Sequence, residues 1–213
     1  MENNSFNYIK RSFKVAIILA IISIIIAFAE AGFSTYFGYE DESLTLFGFG
    51  IGSFIEIFSA SGIVMMISRI KNNPESNRSS FERTALKITG YGFYILVAGL
   101  IISSLYNIYT DHKPSATISG VVISLLSILL MLILYFSKIK VGKQLKSDAI
   151  IADAECTKVC IYMSIVLLIS SALFYYTQFK YADIIGTFLL AYLSFKEGKE
   201  ALEKSISNNH CTC

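Results

Sequence analysis

The stretch VAIILAIISIIIAFAEAGFSTY, Val15 to Tyr36, decides the fold class of this 213-residue chain. About 20 apolar residues at about 1.5 Å each cover the roughly 30 Å hydrocarbon core of a bilayer. Backbone groups inside hydrocarbon have no water to bond, so a spanning segment must be a helix or part of a closed barrel. Because the apolar residues run on without alternating at a period of two, the stretch predicts a membrane-spanning helix. It is too long for a signal peptide, and we expect it to be retained.

Five further apolar runs predict five more crossings. They are Leu44 to Ile67, Ile88 to Tyr106, Ile118 to Phe136, Val159 to Tyr176 and a shorter run, Asp183 to Phe195. The last run spans a bilayer only if its polar ends snorkel or the bilayer thins locally. The sequence therefore predicts an all-α membrane protein. A six-transmembrane-helix bundle, residues 15–198, lies between a cytoplasmic N-terminal segment, residues 1–14, and a short cytoplasmic tail, residues 199–213. Six crossings leave no room for a soluble catalytic domain, and we do not expect an enzyme.

Basic residues predict the orientation of the bundle. Lysine and arginine concentrate before the first run, after the second, after the fourth and after the sixth, whereas the opposite side holds only Lys113 and Lys180. Basic loops stay in the cytoplasm, so both termini are expected there, in a plasma (inner) membrane. The formal net charge is only +2, so we expect no nucleic-acid partner. The expected environment is the lipid bilayer.

Polar residues within the apolar runs form two stripes at helical spacing. On the fifth helix, spacings of three, four and four residues place on one face Asp153, Cys156, Cys160 and Ser164. On the second helix, one face carries Gly48, Gly52, Glu56 and Ser59. If the two stripes face each other, they make a narrow polar track through the bundle.

Glu56 is the most informative member of these stripes. A charged carboxylate near the middle of a bilayer costs about 2.5 to 3.5 kcal/mol, so something must offset it. One interpretation is structural: Glu56 is protonated, or it forms a hydrogen bond that holds a neighbouring helix. The other is functional: Glu56 belongs to a cation or proton site. Glu30 in the first helix lies nearer the outer end, where a hydrated vestibule would also accommodate it.

The segments SLTLFGFGIGSFIE (43–56), ADAECTKVCIYMS (152–164) and YADIIG (181–186), with the six-helix layout, resemble the cation diffusion facilitator superfamily. The resemblance covers residues 15–203, and it is closest to a short subgroup without the usual cytoplasmic C-terminal domain. It implies secondary efflux of a metal cation by alternating access, in exchange for protons, by a homodimer. No tightly bound cofactor is implied, since the metal is cargo.

The resemblance also implies a metal site. In that family helices 2 and 5 each contribute two ligands four residues apart, and the matching positions here are Gly52 with Glu56, and Cys156 with Cys160. Gly52 has no side chain to coordinate a metal, whereas a glutamate and two thiolates, joined by Asp153, suit zinc. Residues that could assist are Glu30, Asp183 at the outer exit, and the tail residues His210, Cys211 and Cys213.

Other functions stay open at this stage. Thiolates also suit Cu(I), so a soft-metal transporter is possible. The missing side chain at Gly52 is compatible with a metal-sensing or scaffold protein that no longer transports. The pair Cys156 and Cys160, one helical turn apart, also fits a membrane thiol oxidoreductase. All four cysteines fall in the cytoplasmic half or tail, a reducing environment that favours thiols over disulfides.

Overall fold

A computed structural model describes residues 2–72, 80–110, 118–145, 148–179 and 181–206. These residues form six helices: α1 (Glu2–Glu40), α2 (Leu44–Asn72), α3 (Ser80–Thr110), α4 (Ile118–Leu145), α5 (Asp148–Thr177) and α6 (Ala182–Ile206). The first five contain stretches long and apolar enough to cross a membrane. Helix α6 is more polar, with charged residues throughout its second half. The predicted all-α membrane fold is confirmed.

The helices extend beyond the apolar runs that predict them. Helix α1 begins at Glu2, within the predicted N-terminal segment, and α6 continues to Ile206, through residues assigned to the predicted tail. Polar residues outside hydrocarbon can continue a helix already nucleated by an apolar stretch, because adding a residue costs less than starting a helix. Composition therefore marks the lipid-facing part of each helix better than its ends.

Sequential hairpins and one long-range pairing build the bundle. Helix α1 packs on α2, α4 packs on α5, and α3 packs on α6. The α1–α2 connection is tight: Ser43 N donates to Gly38 O at 3.0 Å, and Glu42 adopts a φ of 52° in the left-handed region. Because this hairpin is short, residues equally distant from Glu42 on α1 and α2 lie at similar depth.

Two apolar clusters close the bundle at its two ends. The cluster nearer the α1–α2 turn joins α2, α3, α5 and α6 through residues that include Leu46, Phe93, Leu167 and Leu190. The cluster nearer the α4–α5 connection joins α1, α2, α4 and α5 through Ala16, Ala20, Ile67, Val141 and Ile150. A third cluster, Met131, Leu134 and Ile161, joins α4 to α5 between them.

Glycines let α3 and α6 approach closely. A Cβ placed on Gly90 would lie 2.9 Å from Gly198 O, and one on Gly198 would lie 3.1 Å from Gly90 O. A methyl group at Gly90 would force a neighbour to move, and one at Gly198 would fit only if its neighbours shifted by a few tenths of an ångström. Gly90 thus serves a contact within one chain.

Candidate metal site

A cavity of about 50 Å³ with both polar and apolar walls lies between the two apolar clusters, and all six helices contribute to it. A cavity of this size holds a few water molecules or a partly hydrated ion. The polar residues in its wall are Ser23, Glu56, Thr89, Lys138, Asp153, Cys156, Thr157, Cys160 and Glu197. The two predicted stripes therefore face a cavity to which all six helices contribute.

Glu56 and Cys160 join the two predicted stripes. The Cys160 thiol donates a hydrogen bond to Glu56 Oε2 at 3.1 Å, and it also lies 3.4 Å from Cys156 O in its own helix. Both side chains are partly buried and line the cavity. Neither Cys156 nor Cys160 forms a disulfide. The thiol and the carboxylate are thus already close enough to hold one small cation between them.

Asp153, one of the four predicted ligands, is engaged with α4. Lys138 Nζ lies 2.9 Å from Asp153 Oδ1 and 2.9 Å from Thr157 Oγ1, and Lys138 is only 2% exposed. Asp153 Oδ2 has no hydrogen-bond partner among the described residues. A buried ion pair is retained only with such close pairing, because desolvation of two charges is costly.

The four predicted ligands are not gathered around one point. Within the described ranges, no three histidine, cysteine, aspartate or glutamate side chains lie close enough together to surround a metal ion. Glu56 and Cys160 are in contact, whereas Asp153 stands seven residues, about 10 Å, before Cys160 on α5 and pairs with Lys138.

Glu30 lies at nearly the depth of Glu56. It stands 12 residues before Glu42, and Glu56 stands 14 after it, which is a difference of about 3 Å along the hairpin. Glu30 is 7% exposed, and neither of its carboxylate oxygens has a hydrogen bond within the described part of the chain, although Ser127 is a near neighbour. The Ser127 and Ser164 hydroxyls lie 2.7 Å apart. A polar path thus extends from α1 across α4 to the α5 stripe.

Asp183 caps helix α2. Its Oδ1 accepts hydrogen bonds from Ser43 Oγ at 2.6 Å and Thr45 N at 3.3 Å, and its Oδ2 accepts one from Leu44 N at 2.9 Å. The first amides of a helix lack partners within that helix, and a carboxylate satisfies them well. The geometry therefore gives Asp183 a structural task, and its predicted part in the outer exit stays a prediction.

Three predicted residues, His210, Cys211 and Cys213, lie outside the described residues, and their role as accessory ligands also stays a prediction.

Lys138 and Glu197 line the cavity, although the residue pattern along the chain does not predict them as site residues. Lys138 belongs to the basic residues after the fourth apolar run, which indicate orientation, and Glu197 follows the last apolar run. The register of the α4–α5 hairpin brings the lysine to Asp153: Lys138 stands seven residues before the end of α4, and Asp153 stands five after the start of α5. In a helical hairpin these positions lie at similar heights.

Gly52 leaves one expected ligand position without a donor. A Cβ there would lie 3.8 Å from Leu96 Cδ2 and 3.9 Å from Phe93 Cε1, which is ordinary van der Waals contact. The position is therefore not sterically closed to a methyl group. Helix α2 supplies a single carboxylate to the cavity, Glu56.

Comparison with known proteins agrees with this arrangement. Residues 17–208 match the cation efflux transmembrane domain. The chain is also 28% identical, over 204 residues, to the manganese efflux system protein MneP of Bacillus subtilis (strain 168), an alignment that covers 91% of this chain and 67% of that protein. The resemblance to the cation diffusion facilitator superfamily is confirmed, and the chain belongs to the cation efflux family of integral membrane transporters.

Proposed function

We propose that this protein exports a divalent metal cation from the cytoplasm, and that the cation binds between Glu56 and Cys160. The observation that carries the proposal is the 3.1 Å contact between the Cys160 thiol and Glu56 Oε2 in a cavity lined by all six helices. An ionisable pair in this position is costly in lipid and is usually functional.

The same contact supplies a reason for coupling to protons. A thiol must lose its proton before it binds a metal, and a carboxylate must be ionised, so metal and protons compete for these two groups. In the described conformation the thiol proton is directed at the carboxylate. Exchange of the cation for protons would then require no group beyond Glu56 and Cys160.

The donor set supports zinc, and the relative supports manganese. A thiolate with a carboxylate is a common zinc environment, and oxygen donors alone suit manganese better. The matched relative is named a manganese efflux system protein. Zn²⁺ and Mn²⁺ are therefore the two substrates to test first, and Cu(I) is the softer ion to test beside them.

Orientation and assembly complete the proposal. Cytoplasmic termini rest on the distribution of lysine and arginine. Homodimerisation rests on the family resemblance alone, since Gly90 packs on Gly198 of the same chain. Chemical crosslinking in native membranes would test the dimer.

The test is cation flux in proteoliposomes. Purified protein is reconstituted with a metal-sensitive dye inside the vesicles, and Zn²⁺ and Mn²⁺ uptake is recorded with and without an imposed pH gradient. Glu56→Gln should abolish flux of both ions while the variant remains folded. Glu203→Gln is a matched control, because Glu203 is an exposed α6 carboxylate whose contact with Lys199 is long, at 3.8 Å.

Two results would contradict the proposal. Full flux in Glu56→Gln would remove that residue from the mechanism. Metal binding that depends on Glu56 but is never accompanied by flux would show a sensing protein instead of a transporter.

A further inference from the structure

Lys138 is a buried positive charge inside the cavity of a cation transporter. Among the described residues of the cavity wall, it is the one basic side chain; it contacts Asp153, and the same wall holds Glu56 and Glu197. A fixed ammonium repels a divalent cation and weakens its binding nearby. The role of basic residues in setting the topology of the protein therefore does not explain why Lys138 lies in the cavity.

A purely structural ion pair would explain Lys138 if Asp153 were fully satisfied. Asp183 is an example of a fully satisfied buried carboxylate, since both of its oxygens accept hydrogen bonds. Asp153 is 4% exposed, yet its Oδ2 has no hydrogen-bond partner in the described chain. Buried carboxylate oxygens are normally paired, so this one is a vacant acceptor beside the cavity.

We propose that Lys138 is a built-in competitor of the transported cation: its ammonium holds Asp153, and the cation must displace it from that carboxylate to gain Asp153 as a ligand. The inference rests on the proposed function, because it takes the same cavity as the path of the cation. Asp153 lies about 10 Å along α5 from Cys160, so it would hold the ion at a position next to the one between Glu56 and Cys160.

The exchange fits the donors present. Lys138 Nζ has two oxygen partners, Asp153 Oδ1 and Thr157 Oγ1, and Thr157 Oγ1 also donates to Asp153 O at 3.1 Å. Lysine is a flexible point charge, so its ammonium can leave one carboxylate oxygen without rearranging the helix. The Lys138 ammonium and the metal ion then occupy the Asp153 carboxylate in turn. The metal therefore binds more weakly than it would if Lys138 were absent.

Equilibrium binding of Mn²⁺ to the purified full chain in detergent, measured as loss of the free-ion EPR signal, tests the exchange. Lys138→Met should bind Mn²⁺ about tenfold more tightly than wild type, because the competitor is gone and Asp153 is available. Lys138→Met/Asp153→Asn removes the pair without changing the net charge, and it should bind about tenfold more weakly than wild type.

A second variant keeps the test decisive if Lys138→Met does not fold. Lys138→Arg preserves the charge, but a guanidinium engages both oxygens of a carboxylate at once. It should therefore hold Asp153 more firmly and weaken Mn²⁺ binding about tenfold. A merely structural partner would be replaced by arginine with no change in metal affinity.

The outcomes separate this inference from the proposed function. If Glu56→Gln abolishes Mn²⁺ binding while the double variant and Lys138→Arg both bind like wild type, Lys138 is a structural partner and the inference is wrong. If Glu56→Gln binds Mn²⁺ like wild type, the proposed site itself is wrong, and the inference falls with it. The exchange is supported if Mn²⁺ binds most tightly to Lys138→Met, less tightly to wild type and most weakly to the double variant.

Discussion

Replacing Asp183 should destabilise the protein without impairing the transport activity of the molecules that fold. Its carboxylate accepts three hydrogen bonds at the start of α2, from Ser43 Oγ, Leu44 N and Thr45 N. Asp183 is 5% exposed, so few water molecules can replace these bonds. The residue joins α6 to the α1–α2 turn, and its loss should loosen both.

The magnitude follows from the bonds lost. Each hydrogen bond to a charged group contributes about 1.5 to 3 kcal/mol, and the 3.3 Å bond to Thr45 N is the weakest of the three. Asp183→Ala loses all three, and the two shorter bonds alone should lower the free energy of unfolding by about 3 to 6 kcal/mol. Asp183→Asn keeps one acceptor oxygen and should lose about 2 kcal/mol.

The assay is denaturant-induced unfolding in detergent, followed by flux measurements on reconstituted, size-selected protein. Glu40→Gln is the matched control, because Glu40 is an exposed carboxylate at the same end of the bundle. It should change stability by no more than about 0.5 kcal/mol. If Asp183→Asn keeps wild-type stability but loses flux, Asp183 is a transport residue at the exit and the capping argument is refuted.

Three further predictions concern the cavity and the packing around it. Cys160→Ser replaces a soft donor with a hard one and should lower the ratio of Zn²⁺ to Mn²⁺ uptake about tenfold in the dye assay; an unchanged ratio would exclude the thiol as a ligand. Glu30→Gln should leave the unfolding midpoint unchanged, since neither oxygen has a hydrogen bond from the residues that the structure describes, and should slow flux; equal flux would remove Glu30 from the pathway. Gly186→Val should cost about 1 to 3 kcal/mol in unfolding experiments, because a Cβ there would lie 2.6 Å from Ser170 Cβ; wild-type stability would show that α5 and α6 can separate freely.

Helical periodicity was sufficient to predict one half of the candidate site. Glu56 and Cys160 lie on stripes that the residue spacing alone defines, and the fold brings them into contact. The six helices were likewise visible as apolar runs, because lipid imposes a length and a composition on each spanning segment.

The other half of the site depends on pairings between helices that spacing within one helix does not reveal. Lys138 belongs to a cluster of lysines near a helix end, which is a normal signal of orientation, and only the α4–α5 packing shows that it is buried against Asp153. Asp183 lies 138 to 140 residues from the groups it caps. Acidic residues in the apolar runs therefore predicted that a site exists. Which of them line the cavity, form an ion pair or cap a helix is seen only in the tertiary structure.

The crossing of α3 and α6 at Gly90 and Gly198 has a consequence for genetics. A systematic substitution experiment scored by metal tolerance of cells would mark these two glycines as strictly as Glu56, although they bear no ligand. The two kinds of position would separate when the amount of protein in the membrane is measured as well: glycine variants should be scarce, whereas Glu56→Gln should be abundant and inactive. Intolerance to mutation in this protein thus reports steric fit at some sites and chemistry at others, and abundance tells them apart.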